Sequence, residues 1–100
     1  MVEKLASAER DEALAKLPQW RHDAAENAIT REFGFPDFSR AFAFMTQVAL
    51  LAEKAGHHPD WSNSYSTVRI SLSTHDAGGI SAKDIALAGQ IDRLLERATA

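Results

Sequence analysis

The segment Tyr65-Ser66-Thr67-Val68-Arg69-Ile70-Ser71-Leu72-Ser73 decides the fold class. Val68, Ile70 and Leu72 fall on one side of an extended chain and Thr67, Arg69 and Ser71 on the other, because successive side chains of a strand point to opposite faces. An apolar face opposite a polar one marks an antiparallel strand that covers a core on one side and meets water on the other. Upstream, Phe38 to Lys54 contains no proline or glycine and is rich in Ala, Leu, Phe and Met, so it reads as the main helix, capped by Asp37 or Ser39. Ala41, Phe44, Met45, Val48, Leu51 and Ala52 form one broad apolar face, while Phe42, Ala49 and Leu50 spread round the side. A helix apolar over so much of its circumference is covered on more than one side, which predicts both a sheet contact and a subunit contact.

Farther out, Ser7 followed by Glu9, Asp11 and Glu12 reads as the cap and acidic first turn of a short helix that runs to Leu17 and stops at Pro18. Between Trp20 and Phe35, the residues Ile29, Arg31, Phe33 and Phe35 alternate as in a half-buried strand, and Gly34 and Pro36 mark its exit. Gly78-Gly79 signals a turn, Ser81-Ala82-Lys83-Asp84 matches a capping box, and Leu87, Ile91, Leu94 and Ala98 recur at helical spacing. The order helix, strands, helix, strand, helix predicts an α+β fold, with helices covering one face of a small antiparallel sheet.

One hundred residues suffice for a single domain with one modest core, expected to span residues 1–100. A formal net charge of −3, with Lys and Arg scattered along the chain, argues against direct nucleic-acid binding. There is no cysteine, hence no disulfide or thiolate chemistry. Charged residues break up the N-terminal region and no segment is long enough to span a bilayer, so a cytoplasmic protein without signal peptide or membrane association is expected.

Chemistry concentrates in Glu53-Lys54-Ala55-Gly56-His57-His58-Pro59-Asp60-Trp61 and in Ser73-Thr74-His75-Asp76, which hold three of the four histidines. Gly56 is placed to end the main helix in a left-handed conformation, and Pro59 holds His58 extended, so the pair sits in a turn just past a helix C-terminus. His75 falls at a strand exit, and the two loops can meet at one end of the sheet. Histidine gives or takes a proton near neutral pH, which makes His57, His58 and His75 candidate catalysts; loop histidines are also ordinary surface residues or caps. A three-histidine zinc centre is the rival chemistry, ranked second because adjacent extended residues point apart. Glu53 can orient an imidazole or pair with a lysine, and Asp76 can hold a His75 tautomer or begin a turn. Trp61 and Trp20 can stack on a flat ligand or serve as core cover. His22, in a polar stretch, reads as a surface residue.

The run from Glu53 through Ser62-Asn63-Ser64-Tyr65, then Leu72 to Ser81 and Asp84, resembles the pterin-4a-carbinolamine dehydratase family. Trp20 and Phe33-Gly34-Phe35-Pro36-Asp37-Phe38-Ser39-Arg40-Ala41-Phe42 extend the likeness over nearly the whole chain. The resemblance implies a four-stranded antiparallel sheet with three helices packed on one face, assembled as a homodimer or homotetramer through the long helix and a sheet edge. It implies dehydration of 4a-hydroxytetrahydropterin to quinonoid dihydropterin, which recycles the pterin of aromatic amino acid hydroxylases, without metal or organic cofactor. By position, His57, His58 and His75 are the implied catalytic histidines; Gly56, Ser73, Thr74 and Asp76 lie in the implied pterin-contacting loops, with Glu53 and Trp61 in support. Two departures stand out: Gly56 where many members carry an acid, and Lys83 where some carry arginine. Some animal relatives also act as coactivators by binding a transcription factor's dimerisation helix, and a role in a molybdenum-pterin pathway is a third reading.

Overall fold

The computed structural model describes residues 2–99, with side chains described for residues 2–96. In chain order it contains α1 (Ser7–Ala15), β1 (Arg21–Asp23), β2 (Ala28–Gly34), α2 (Phe38–Ala55), β3 (Asp60–Ser64), β4 (Thr67–Leu72) and α3 (Ala82–Thr99). The four strands form one antiparallel sheet in the order β1-β2-β4-β3. Register sets Ile29 opposite Leu72 and Phe33 opposite Val68, so the apolar faces of the two central strands coincide. Val68, Ile70 and Leu72 are fully buried, each burial favouring the fold by roughly 1.5–3 kcal/mol.

All three helices pack against that face. Ala41, Phe44 and Val48 of α2 and Leu87, Ala88 and Ile91 of α3 join the core cluster, with Leu14 of α1 half-buried against it. The opposite face carries the exposed Glu32 and Arg69. Trp20 Nε1–H and Arg31 Nη1–H both donate to Asp92 Oδ1, at 2.9 and 2.7 Å, tying β2 and the approach to β1 onto α3. Leu94 lies half-buried at the edge of this packing, while the Ala98 side chain falls outside the described residues. Among the described residues no helix is long and apolar enough to cross a membrane.

Several boundaries differ from the sequence reading, each for a local reason. The cap of α1 is Ala6, whose N–H donates to Glu9 Oε1 at 3.0 Å, so Ser7 is the first helical residue; α1 stops at Ala15, with Leu17 beyond it in a turn. The stretch 20–35 is a hairpin rather than one strand, reversed at residues 24–27, where Asn27 takes a φ of 51°. The α2 cap is Asp37, which accepts the Arg40 N–H at 2.8 Å. Tyr65 and Ser66 are the turn between β3 and β4 rather than strand residues. Tyr65 has a φ of 52°, and Asn63 Nδ2 holds the turn by donating to the carbonyls of Tyr65 and Thr67.

Candidate active site

Gly56 ends α2 with a φ of 65°, a conformation that costs a side-chain-bearing residue about 1–2 kcal/mol. Its N–H donates to Glu53 O at 3.2 Å and that of His57 to Ala52 O at 3.1 Å, satisfying carbonyls that the helix end would leave orphaned. The reversal drives the two histidines apart. His57 turns inward, with 9% of its surface exposed, and His58 turns outward.

The inward histidine meets Asp84, in the first turn of α3 and completely buried. His57 Nε2 lies 2.5 Å from Asp84 Oδ1. Asp84 Oδ2 accepts the Thr74 hydroxyl and the Ser81 N–H, both at 2.8 Å. Because the Thr74 proton goes to Asp84, the 2.6 Å contact between the Thr74 and Ser81 hydroxyls is a donation from Ser81. Ser81 Oγ in turn accepts the Lys83 N–H at 3.2 Å. A carboxylate is acceptor-only, so this closed network sets a His57 proton on Nε2, facing Asp84. Burial without unmet partners gives such a network rigidity, and no buried side-chain polar atom among the described residues lacks a partner.

The other two histidines also face carboxylates. His58 Nε2 pairs with Glu53 Oε1 at 2.7 Å, reaching back one turn along α2. His75 Nε2 stands 3.9 Å from Asp60 Oδ2. His75 opens the short 3-10 turn His75–Ala77, which Gly78 ends with a φ of 76°. Thr74 and Gly79 clamp the base of this loop by two backbone bonds, 2.8 and 3.2 Å long. The three imidazoles thus form a gradient from buried and fixed, through oriented, to exposed beside a more distant carboxylate.

All three line one groove of about 290 Å³, together with Gly56, Thr74, Asp76, Lys83 and Val2. That size is near the low end of small-ligand sites, about 300–1,000 Å³, and suits a bicyclic ring. Of the residues singled out from sequence, Glu53 stands behind His58 and outside the groove lining. Ser73 points away, its hydroxyl donating to Asn27 O at 2.9 Å. Trp61 lies on edge strand β3 opposite Ile70, 36% exposed and outside the lining. Trp20 is core, and His22 is exposed. Among the described residues no group of three or more His, Cys, Asp or Glu is arranged to hold a metal ion.

Two participants escaped the sequence reading. Asp84 was legible as a helix cap and as part of the family resemblance but not as the partner of His57, a bond that spans 27 positions. Val2 reaches the groove through the backbone bond from Leu5 N–H to Ile80 O, a pairing that no local pattern signals.

Residues 3–94 match the family model described as pterin 4 alpha carbinolamine dehydratase. A protein of Rhizorhabdus wittichii named "Putative pterin-4-alpha-carbinolamine dehydratase" is 56% identical over 95 residues, covering 95% of this chain and 98% of its own. One of the same name from Rhodospirillum rubrum is 56% identical over 95 residues, with 95% and 99% coverage. Among solved structures, a transcriptional coactivator/pterin dehydratase from Brucella melitensis superposes with a TM-score of 0.87 at 44% identity, covering 91% of this chain and 97% of that one. A pterin dehydratase-like protein identified as a RuBisCO assembly factor in the alpha-carboxysome superposes with a TM-score of 0.65 at 26% identity, covering 76% and 88%.

Proposed function

This chain belongs to the pterin-4-alpha-carbinolamine dehydratase family, and from that membership we propose that it converts 4a-hydroxytetrahydropterin to quinonoid dihydropterin and water in the cytoplasm, by histidine acid/base catalysis. The observation that carries this reading is the convergence of His57, His58 and His75 on one groove, each facing a carboxylate of its own.

The reaction needs two proton transfers. The lone pair of the ring nitrogen beside C4a expels the hydroxyl, which leaves as water once an acid protonates it; the cation that remains then loses the nitrogen proton to a base. Positioned side chains contribute about 10²- to 10⁴-fold to such steps, and a substrate that also dehydrates unaided needs no more. In the proposed roles, His57 and His58 serve the departing hydroxyl and His75 accepts the nitrogen proton. Gly56, Thr74 and Asp76 contact the pterin, and Glu53 orients His58. Ser73 and Trp61 support the two loops from outside the groove.

Titration of the isotopically labelled protein with a dihydropterin, read by nuclear magnetic resonance, tests the placement of substrate. Shifts confined to the imidazoles of His57, His58 and His75 and to the backbone of residues 74–76 and 83 are expected. Shifts elsewhere, or none at saturation, would remove the pterin from this groove.

Exposed apolar side chains on α2 support an assembly role beside catalysis. Phe38, Phe42 and Leu50 are 47%, 56% and 66% exposed, and the two phenylalanine rings stack 5.9 Å apart. Such a face serves a helix-to-helix contact, proposed as homodimer or homotetramer formation assisted by the β3 sheet edge. A partner's dimerisation helix, as in a coactivator role, is the competing occupant.

A further inference from the structure

The histidine groove is polar round nearly all of its rim. Apart from Gly56, every residue that lines it carries a nitrogen or an oxygen in its side chain, with one exception, Val2. That isopropyl group is half-buried and belongs to a residue outside every helix and strand, so its place in the groove is set by the chain that follows it.

Lys4 forms an antiparallel bridge to Ser81, and Leu5 N–H donates to Ile80 O at 2.8 Å. Leu5 itself packs half-buried against the core. The Lys4 stem lies on Gly79, where a Cβ would come within 2.9 Å of Lys4 Cε. Residues 79–81 follow directly on the turn that opens with His75, and the Ser81 N–H is bonded to Asp84, the partner of His57. Residues 2–5 are therefore a strap fastened to the stretch that joins His75 to the anchor of His57. Its antiparallel sense carries residue 2 past Lys4 toward Lys83, which lines the same groove.

We propose that Val2 is a specificity-determining wall of this groove, set against the C6–C7 edge of the pterin and the substituent on C6. The proposal takes its ligand from the dehydratase reading and rests on it to that extent. A reduced pterin has two unlike ends. The pyrimidine end presents the 2-amino group, N1, N3–H and the 4-oxo oxygen, and each loses free energy if it faces carbon in place of a hydrogen-bond partner. Val2 has no side-chain donor or acceptor to offer. At the other end C6 and C7 carry only hydrogen and the substituent, so the orientation that strands no polar group turns this end to Val2. Apolar surface on both sides then leaves water together, which favours an alkyl or hydroxyalkyl group at C6 over hydrogen. A methylene enclosed by an apolar pocket discriminates by about 10- to 200-fold, and a single apolar wall on an open groove by less, about fivefold. This contact touches no reacting atom and is made alike before and during the reaction, so it acts on KM rather than kcat.

The test compares two rings on the whole protein, one with a methyl group at C6 and one with hydrogen there. Dehydration of each freshly generated 4a-hydroxytetrahydropterin gives KM and kcat, and titration with 6-methyl-7,8-dihydropterin and with 7,8-dihydropterin gives dissociation constants that need no turnover. Expected in the wild type is a preference for the methyl compound of about fivefold in KM and in dissociation constant, reduced below about twofold in Val2→Ser and kept in Val2→Ile. Equal constants for the two rings in the wild type, or a preference that survives Val2→Ser in a folded variant, would overturn the assignment. Protein that accelerates neither carbinolamine yet binds the two dihydropterins with the Val2-dependent difference would support the wall and defeat the dehydratase reading, whereas binding of neither would overturn both.

Discussion

Asp84→Asn separates the fold-supporting from the catalytic role of the buried network. Asp84 accepts bonds from His57, Thr74 and Ser81. The asparagine keeps one oxygen for Thr74 and Ser81 and turns its amide N–H toward His57. His57 can then bond only by accepting at Nε2, which moves its proton to Nδ1. The second amide N–H is left without an acceptor, at about 1–3 kcal/mol, and charge-assisted bonds of about 1.5–3 kcal/mol become neutral ones of about 0.5–1.5. The net loss is about 4 kcal/mol, or roughly 16–32 °C in melting temperature at this chain length. The carboxylate that faces the imidazolium during proton transfer is gone, so His57 serves the departing hydroxyl less well and turnover falls about 10²-fold, the lower end of what a positioned proton transfer contributes. The assays are absorbance-followed dehydration of freshly generated 4a-hydroxytetrahydropterin, thermal unfolding, and ¹⁵N spectra that report the His57 tautomer. A variant with the tautomer exchanged yet turnover within twofold of wild type would refute the reasoning, and Asp84 would be a structural residue only.

The remaining predictions are simpler. His58→Ala removes a ring whose side chain is 65% exposed; stability should move by no more than about 0.5 kcal/mol while turnover falls about 10²- to 10⁴-fold, and an equal loss of both would make His58 structural. Ser73→Ala breaks only the bond to Asn27 O, so denaturant unfolding should show a loss of about 1 kcal/mol with turnover unchanged; lost turnover in a folded variant would place Ser73 in the reaction. Phe42→Ser on the exposed α2 face should lower the mass measured by light scattering, and an unchanged oligomer would move the self-contact elsewhere.

Much of the fold was legible because burial imposes periodicity. The alternation of Val68, Ile70 and Leu72 records a face pressed on helices, and the glycine-free run of α2 with Gly56 after it records both ends of a helix. Strand β3 left no such trace: Asp60–Ser64 is exposed throughout, so no residue there had to be apolar. Its order comes from backbone pairing with β4 and from Asn63 bonds across the turn. Ser7 read as a cap because serine suits that position, yet the Glu9 carboxylate can serve the backbone N–H of any residue at that place, and Ala6 holds it. In the site, the histidines were legible by residue type and their loops by glycine and proline. What fixes His57 was hidden, since Asp84 serves two structures at once: it caps α3 through Ser81 and grips an imidazole from the loop that follows α2.

The measurement that bears most directly on the account is the dehydration rate of 4a-hydroxytetrahydropterin with metal-stripped protein, set beside buffer alone and the His58→Ala variant. Acceleration by stripped wild-type protein that collapses in the variant is the predicted result. A rate no faster than buffer from a folded protein, or one restored only by adding a divalent metal, would contradict histidine acid/base catalysis in this groove.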